Sequence, residues 1–95
     1  MLESFTIDDN LALQESAGIE VTLQLSDGSR RWCVFMRPET LAACGDWLDG
    51  TTTRIHYGAA HLIIVAVELN QEVIERALRH IDCRGELSLC SLPLA

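Results

Sequence analysis

The sequence predicts an α+β fold, a two-layer sandwich in which two helices pack on a mainly antiparallel sheet in the order β-β-α-β-β-α-β. Three segments of the sequence predict this fold. Residues 20–36 have the pattern of two strands joined by a turn, and residues 61–67 that of a buried strand. The segment between Asn70 and Gly85 has the pattern of an amphipathic helix. A chain of 95 residues, 48% of them hydrophobic, is expected to form one domain with its own core.

The first 18 residues form an acidic N-terminal arm or an edge strand, preceding a single domain over residues 19–95. Phe5 and Ile7 alternate with polar residues, as in a short strand. Four acids and no base lie in this segment: Glu3, Asp8, Asp9 and Glu15.

Residues 20–36 predict a β-hairpin. Hydrophobic and polar residues alternate up to Asp27-Gly28, the pair preferred in a two-residue type I′ turn. This turn places Leu23 opposite Trp32 and Val21 opposite Val34, and we assign that face, with Met36, to the core. The other face then carries Thr22, Gln24, Arg31, Cys33 and Phe35.

The rest of the chain has the predicted order helix, two strands, helix, strand. Pro38 suits the first turn of a helix over residues 38–49, and Gly50 ends it. Residues 51–57 are rich in β-branched and aromatic types, which favour a strand. Residues 61–67 are apolar on both faces, as in the middle of a sheet.

The segment after Asn70 carries the strongest helix signals. Asn70 is a good N-cap, and apolar residues recur at helical spacing. The pairs Glu72–Arg76 and Glu75–Arg79 have the favourable order for i,i+4 ion pairs. After Gly85, residues 87–90 alternate as in a final strand.

Composition excludes several classes of function. The net charge of −7, with seven scattered arginines and no lysine, disfavours nucleic-acid binding. The longest apolar run, residues 62–67, is too short to span a membrane. The first residues have no basic region followed by an apolar run, so we expect no secretory signal and a cytoplasmic location. The four cysteines are widely spaced without a CxxC pair, and we expect them to be reduced. Arginine-only basic residues suggest a bacterial origin.

The stretch His56-Tyr57-Gly58-Ala59-Ala60-His61 is the candidate for a ligand or metal site, together with Arg54. A two-residue Gly58-Ala59 turn would place His56 opposite His61, within reach of one ion. A three-residue loop would place the two imidazoles on opposite faces and remove the site. Two histidines are too few for zinc, so Cys33 or the pair His80/Cys83 would have to complete it. We predict no cofactor.

The half-apolar second face of the hairpin is the candidate interface, through Arg31, Cys33 and Phe35. If both helices lie on one side of the sheet, this face is exposed, and such patches mark interaction surfaces. The alternative is that the N-terminal segment covers it with apolar side chains: Phe5, Ile7, Leu11 and Leu13.

The sequence shows no catalytic-cysteine signature, nucleophile elbow or P-loop. We therefore expect a small acidic non-enzymatic protein that acts by protein–protein contact as a regulator, adaptor or immunity-like inhibitor, and forms a homodimer. The alternative function is a ligand- or metal-binding module that uses His56 and His61. A third is an enzyme subunit whose Arg31, Cys33 and His56 meet between protomers.

Overall fold

A computed structural model describes residues 1–94 and has the predicted α+β architecture, with a mainly antiparallel sheet and two helices. The strands are β1 (Leu2–Ile7), β2 (Ile19–Leu25), β3 (Arg30–Met36), β4 (Asp46–Trp47), β5 (Arg54–Ile55), β6 (Leu62–Ile64) and β7 (Leu92–Pro93). The helices are α1 (Pro38–Ala42) and α2 (Gln71–Cys83), and short 3₁₀ turns span Leu11–Leu13 and Leu87–Leu89. In the described residues no helix has the length and apolar character needed to cross a bilayer.

The main sheet is built around β3. Strand β2 pairs antiparallel with β3 on one side, and β1 pairs antiparallel with β2 to form the edge. On its other side β3 pairs in parallel with β6 near its end and antiparallel with β7 near its start. The β4–β5 pair forms a separate two-stranded ribbon.

The β2–β3 turn is one residue longer than predicted, which makes the predicted register wrong. The Leu25 N–H donates to the Ser29 carbonyl at 2.9 Å, so the loop is Ser26-Asp27-Gly28. Gly28 has φ +88°, a conformation that glycine adopts at little cost. Val21 therefore pairs with Cys33 and Leu23 with Arg31. A one-residue slip exchanges the faces of a strand, so Cys33 and Phe35 point into the core.

Helix α2 covers the core face of the sheet. The Asn70 side chain accepts from the Val73 N–H at 2.8 Å and caps its first turn. Its fully buried Ile74 and Leu78 pack among side chains from the sheet and the adjoining loops. The buried partners in this core are Leu2, Ile19, Val21, Leu23, Cys33, Phe35, Leu69 and Leu87.

The N-terminal segment extends the sheet and contributes to the core. Phe5 and Ile7 of β1 lie opposite Leu23 and Val21, and they pack on the α2 side. The Leu2 N–H donates to Asp82 Oδ2 of α2 at 3.0 Å, which fixes the start of the strand. Phe5, Ile7 and Leu11 therefore pack on the face that carries Cys33 and Phe35, which α2 also covers, whereas Leu13 is 52% exposed.

Gln14 ties the loop after β1 to the start of α2. It is buried, and its Nε2 donates to the Leu69 carbonyl at 2.9 Å while its Oε1 accepts from the Leu69 N–H at 2.6 Å. The Thr40 hydroxyl of α1 donates to the Gln14 carbonyl at 2.7 Å. Helix α1 is thereby held against this loop.

Residues 38–64 depart from the prediction in three respects. The helix predicted over residues 38–49 ends at Ala42, and the strand predicted over residues 51–57 is reduced to β5. The segment of residues 61–67 pairs with β3 and not with β5, so the predicted hairpin at residues 56–61 is wrong. Near the C-terminus, the strand predicted over residues 87–90 is a 3₁₀ turn, and β7 follows it.

Candidate functional site

The face of the main sheet that lies away from α2 is the candidate functional surface; we call it the open face. Its cross-strand neighbours follow from the register: Glu20 beside Val34, Thr22 beside Trp32 and Gln24 beside Arg30. Its side chains alternate along each strand with those of the buried core. The open face comprises Ser4, Thr6, Asp8, Glu20, Thr22, Gln24, Arg30, Trp32, Val34, Met36, Leu62, Ile64 and Leu92.

Half of the open face is apolar. Five side chains on β3 and β6 form what we call the apolar stripe: Trp32, Val34, Met36, Leu62 and Ile64. None of them belongs to the core or packs against it, and each is partly exposed, Ile64 to 42%. In the described part of the chain, α2 packs on the other face and α1 against the Gln14 loop. Contiguous apolar surface of this kind is typical of an interaction site.

The other half of the open face is polar and ends in three carboxylates, the acidic corner: Asp8, Asp9 and Glu20. Asp8 Oδ2 accepts from the Thr22 hydroxyl at 2.6 Å, and Asp9 Oδ2 accepts from the Glu20 N–H at 2.8 Å. All three residues are exposed. Among residues 1–94 no arginine nitrogen lies within 4 Å of these carboxylates, so their charge is presented to solvent.

His61 is anchored to the apolar stripe. Its ring centroid lies 4.5 Å from that of Trp32, at an interplanar angle of 49°. Its Nδ1 is buried and has no hydrogen-bond partner among the described residues. The imidazole therefore acts as part of the packing at the edge of the stripe.

Arg54, His56 and Tyr57 lie in or next to the β4–β5 ribbon. The Arg54 guanidinium lies 3.9 Å over the Trp47 ring, and its Nη1 donates to the Gly45 carbonyl at 3.0 Å. The His56 ring packs so closely on Gly45 that a Cβ there would meet it at 2.7 Å. Tyr57 is 76% exposed. Arg54 and His56 thus hold the ribbon together.

These contacts separate the residues predicted to share a ligand or metal. His56 packs on Gly45 and His61 on Trp32, and the hairpin that would place them opposite each other is absent from the described residues. Within residues 1–94 no group of three or more His, Cys, Asp or Glu side chains is positioned to hold a metal. His80 and Cys83 are both exposed on α2.

The residues predicted as an interface lie elsewhere. Cys33 and Phe35 are fully buried in the core. Burial, with a smaller contribution from nearby Cys90, raises the pKa of the Cys33 thiol to about 12. Arg31 Nε donates to Ser91 Oγ and its Nη2 to the Ser91 carbonyl, both at 2.7 Å, which holds the C-terminal segment.

The sequence interpretation identified an apolar second face but assigned it the wrong residues. Trp32, Val34 and Met36 were expected in the core, and they form the stripe. The signal that distinguishes the two arrangements is the length of the turn, since Asp27-Gly28 also fits a loop that begins at Ser26. The acidic corner depends on the pairing of β1 with β2, a contact between distant residues.

Comparison with protein-family models, with curated proteins and with solved structures finds no match to this chain.

Proposed function

We propose that this protein is a non-catalytic interaction protein, of the regulatory, adaptor or inhibitor type, that binds another protein through the open face of its sheet. The observation that carries this proposal is the apolar stripe. Its five side chains remain partly exposed, whereas Cys33 and Phe35 on the opposite face of β3 are fully buried. The free cysteines and the all-arginine basic residues fit a bacterial cytoplasmic protein.

The composition of the open face resembles that of protein interfaces. Such interfaces have an apolar centre that contains aromatic residues and a polar rim. Trp32 lies within the stripe, and tryptophan is among the residues that most often dominate binding energy. Thr22, Gln24 and the acidic corner provide the polar border on one side.

The surroundings of the candidate catalytic groups favour binding over catalysis. A nucleophilic cysteine needs a lowered pKa and access to substrate, whereas the pKa of Cys33 is raised and its side chain is buried. Arg31 is bound to Ser91 on its own chain. The alternative of a shared active site between protomers would have required both groups at the surface.

Substitution of Ile64 tests the proposal. Ile64→Gln places a polar group at an exposed position of the stripe without changing the net charge. The control is Leu89→Gln, at an apolar side chain 70% exposed on the 3₁₀ turn beside α2. The tagged wild type and both variants are purified from cells of the source organism, and the partner protein that copurifies with the wild type is identified. The purified partner is then titrated against the wild type and each variant to measure the affinity.

We expect Ile64→Gln to weaken that complex about tenfold and Leu89→Gln to leave it within twofold, because only Ile64 lies on the open face. Equal binding by both variants, with both folded by circular dichroism, would contradict the proposal. Sedimentation of the isolated protein tests whether the retained partner is a second copy, which is the homodimer expected from the sequence.

A further inference from the structure

The open face changes from acidic to apolar across its strands. One row across the sheet runs Asp8, Glu20, Val34 and Leu62, and the next runs Thr6, Thr22, Trp32 and Leu92. Charge therefore lies on the β1–β2 side, and apolar surface on the β3–β6 side. Arg30 is the one base on this face among the described residues, and it lies at the end of β3 away from the acidic corner.

The open face is wide enough to seat one α-helix along the apolar stripe. Neighbouring strands lie about 4.8 Å apart, so the distance from β2 to β6 is about 10 Å, close to the diameter of a helix with its side chains. Along β3 the stripe runs from Trp32 to Met36, a length of about 13 Å, equal to the rise of about nine helical residues. Helix α2, with 13 residues, occupies the opposite face of the same sheet in this way.

We propose that the occupant of the open face is an amphipathic helix of a partner protein whose apolar side covers the stripe and whose lysines or arginines, along one flank, meet the acidic corner. This proposal rests on the proposed function, and it specifies the chemistry of the partner. Charge complementarity carries it, because Asp8, Asp9 and Glu20 border the stripe with no arginine paired to them in the described chain.

A second copy of this chain fits the surface less well. Each copy carries a net charge of −7, so a dimer would carry twice that, −14. The apolar side of α2 is already buried in its own core, and its exposed side carries the pairs Glu72–Arg76 and Glu75–Arg79. In the described residues a second copy therefore has no free amphipathic helix with a basic flank to offer.

The probe is an 18-residue synthetic peptide with leucines at helical spacing and lysines along one flank. A matched peptide has glutamates in place of the lysines. Binding is followed by the fluorescence of Trp32 in a Trp47→Phe background, since Trp47 is the second tryptophan of the chain. Titrations are made at 20 and 150 mM NaCl.

Two sets of three substitutions, with equal changes in charge, locate the binding. Asp8→Asn, Asp9→Asn and Glu20→Gln neutralise the corner and keep side-chain oxygens that accept hydrogen bonds. Glu68→Gln, Glu72→Gln and Glu75→Gln make the same change of charge in exposed or half-exposed residues at or near α2. We expect the three substitutions at the acidic corner to weaken binding of the lysine peptide about tenfold at 20 mM NaCl. The three substitutions at or near α2 should weaken it less than threefold.

We further expect Ile64→Gln to weaken binding of the lysine peptide. Raising NaCl to 150 mM should weaken binding to the wild type more than binding to the variant with the three corner substitutions. Equal effects of the two sets would show non-specific attraction to net charge and overturn the proposal. Equal binding of the glutamate peptide would overturn it as well, as would a dimer that is broken by Ile64→Gln and is not displaced by the lysine peptide.

Failure of this proposal differs from failure of the proposed function. If Ile64→Gln weakens the complex purified from cells while the corner set does not, the open face binds a partner of different chemistry. If Ile64→Gln affects neither the complex from cells nor the peptide, the open face is not the interaction surface.

Discussion

Cys33 shows how the fold determines the chemistry of a single residue. Its thiol is fully buried, and burial raises its pKa to about 12, with nearby Cys90 contributing in the same direction. In the unfolded chain a thiol ionises near pH 8.5. The folded-state pKa is the higher one, so this stabilisation is complete below about pH 8.5 and is lost as the pH rises toward 12.

The pH dependence of unfolding tests this burial. Between pH 9 and 11, in reductant, we expect the wild-type free energy of unfolding to fall more steeply than that of Cys33→Ala, by about 1.4 kcal/mol per pH unit. Urea denaturation at several pH values measures it. Cys83→Ala, at an exposed thiol, is the control and should keep the wild-type slope. If the free energy of unfolding of Cys33→Ala fell with pH as steeply as that of the wild type, the buried Cys33 thiol would not be the cause of the pH dependence.

At the scale of single residues, the sequence could indicate types of chemistry but not their neighbours. His56 and His61 lie five positions apart, yet their contacts are Gly45 and Trp32, both distant in sequence. Arg54 was a candidate ligand, and its partner Trp47 could be identified only once the β4–β5 ribbon was known. Side-chain contacts of this kind depend on strand pairing, which a local pattern does not determine.

Among the elements, those with local signals were predicted best. Helix α2 has its cap, its apolar face and its i,i+4 pairs within the segment between Asn70 and Gly85, and the structure confirms it. Strand β6 was expected to pair with the strand before it, whereas it pairs in parallel with β3. Strand propensity over residues 51–57 does not specify a partner, and only Arg54–Ile55 is paired.

The C-terminal strand β7 depends on one side chain of β3. Arg31 donates to the Ser91 hydroxyl and carbonyl, and Ser91 is itself buried. We expect Arg31→Met to leave these acceptors unsatisfied and to destabilise the fold by about 1–3 kcal/mol. Chemical denaturation measures the loss, and hydrogen exchange of the Leu94 N–H, which donates to the Arg30 carbonyl, reports the release of β7.

Arg30→Met is the matched control for that variant. Arg30 is the adjacent residue, its side chain lies on the open face, and it is exposed. We expect the free energy of unfolding of Arg30→Met to stay within about 0.5 kcal/mol of that of the wild type. Equal losses in the two variants would show that the Arg31 contacts contribute nothing to stability.

At the scale of the whole molecule, the sequence predicted the two-layer arrangement, because an amphipathic helix and alternating strands permit few packings, and it left open whether an apolar face is covered. It could not predict which residues form that face, since both faces of β3 are apolar. It also left open the role of residues 1–18, and the structure places Leu2–Ile7 as the edge strand beside β2.

Deletion of residues 1–9 tests how far the fold depends on β1. The deletion removes Leu2, Phe5 and Ile7 from the core and exposes the edge of β2. Loss of one buried leucine side chain alone costs about 2–5 kcal/mol, and small domains have only about 5–15 kcal/mol in total. We therefore expect the shortened chain to be largely unfolded by far-ultraviolet circular dichroism.

The control is the double variant Ser4→Ala and Thr6→Ala, which alters only side chains of the open face and keeps β1 in place. We expect it to unfold cooperatively within about 1 kcal/mol of wild type. A deleted chain that unfolds as cooperatively as this control would show that β1 is dispensable.

The turn at Ser26-Asp27-Gly28 has a consequence for how the chain reaches its fold. Since β3 carries large apolar side chains on both faces, a hairpin closed by Asp27-Gly28 alone would still offer Trp32, Val34 and Met36 to α2. We expect such a misregistered hairpin to compete with the native one during refolding, because it has to break its cross-strand hydrogen bonds before it can convert. The choice between the two hairpins is made at Asp27, because a type I′ turn requires φ > 0 at both central residues, whereas here only Gly28 has positive φ, +88°. This turn sets the identity of the open face, and we expect it to influence the rate of folding as well.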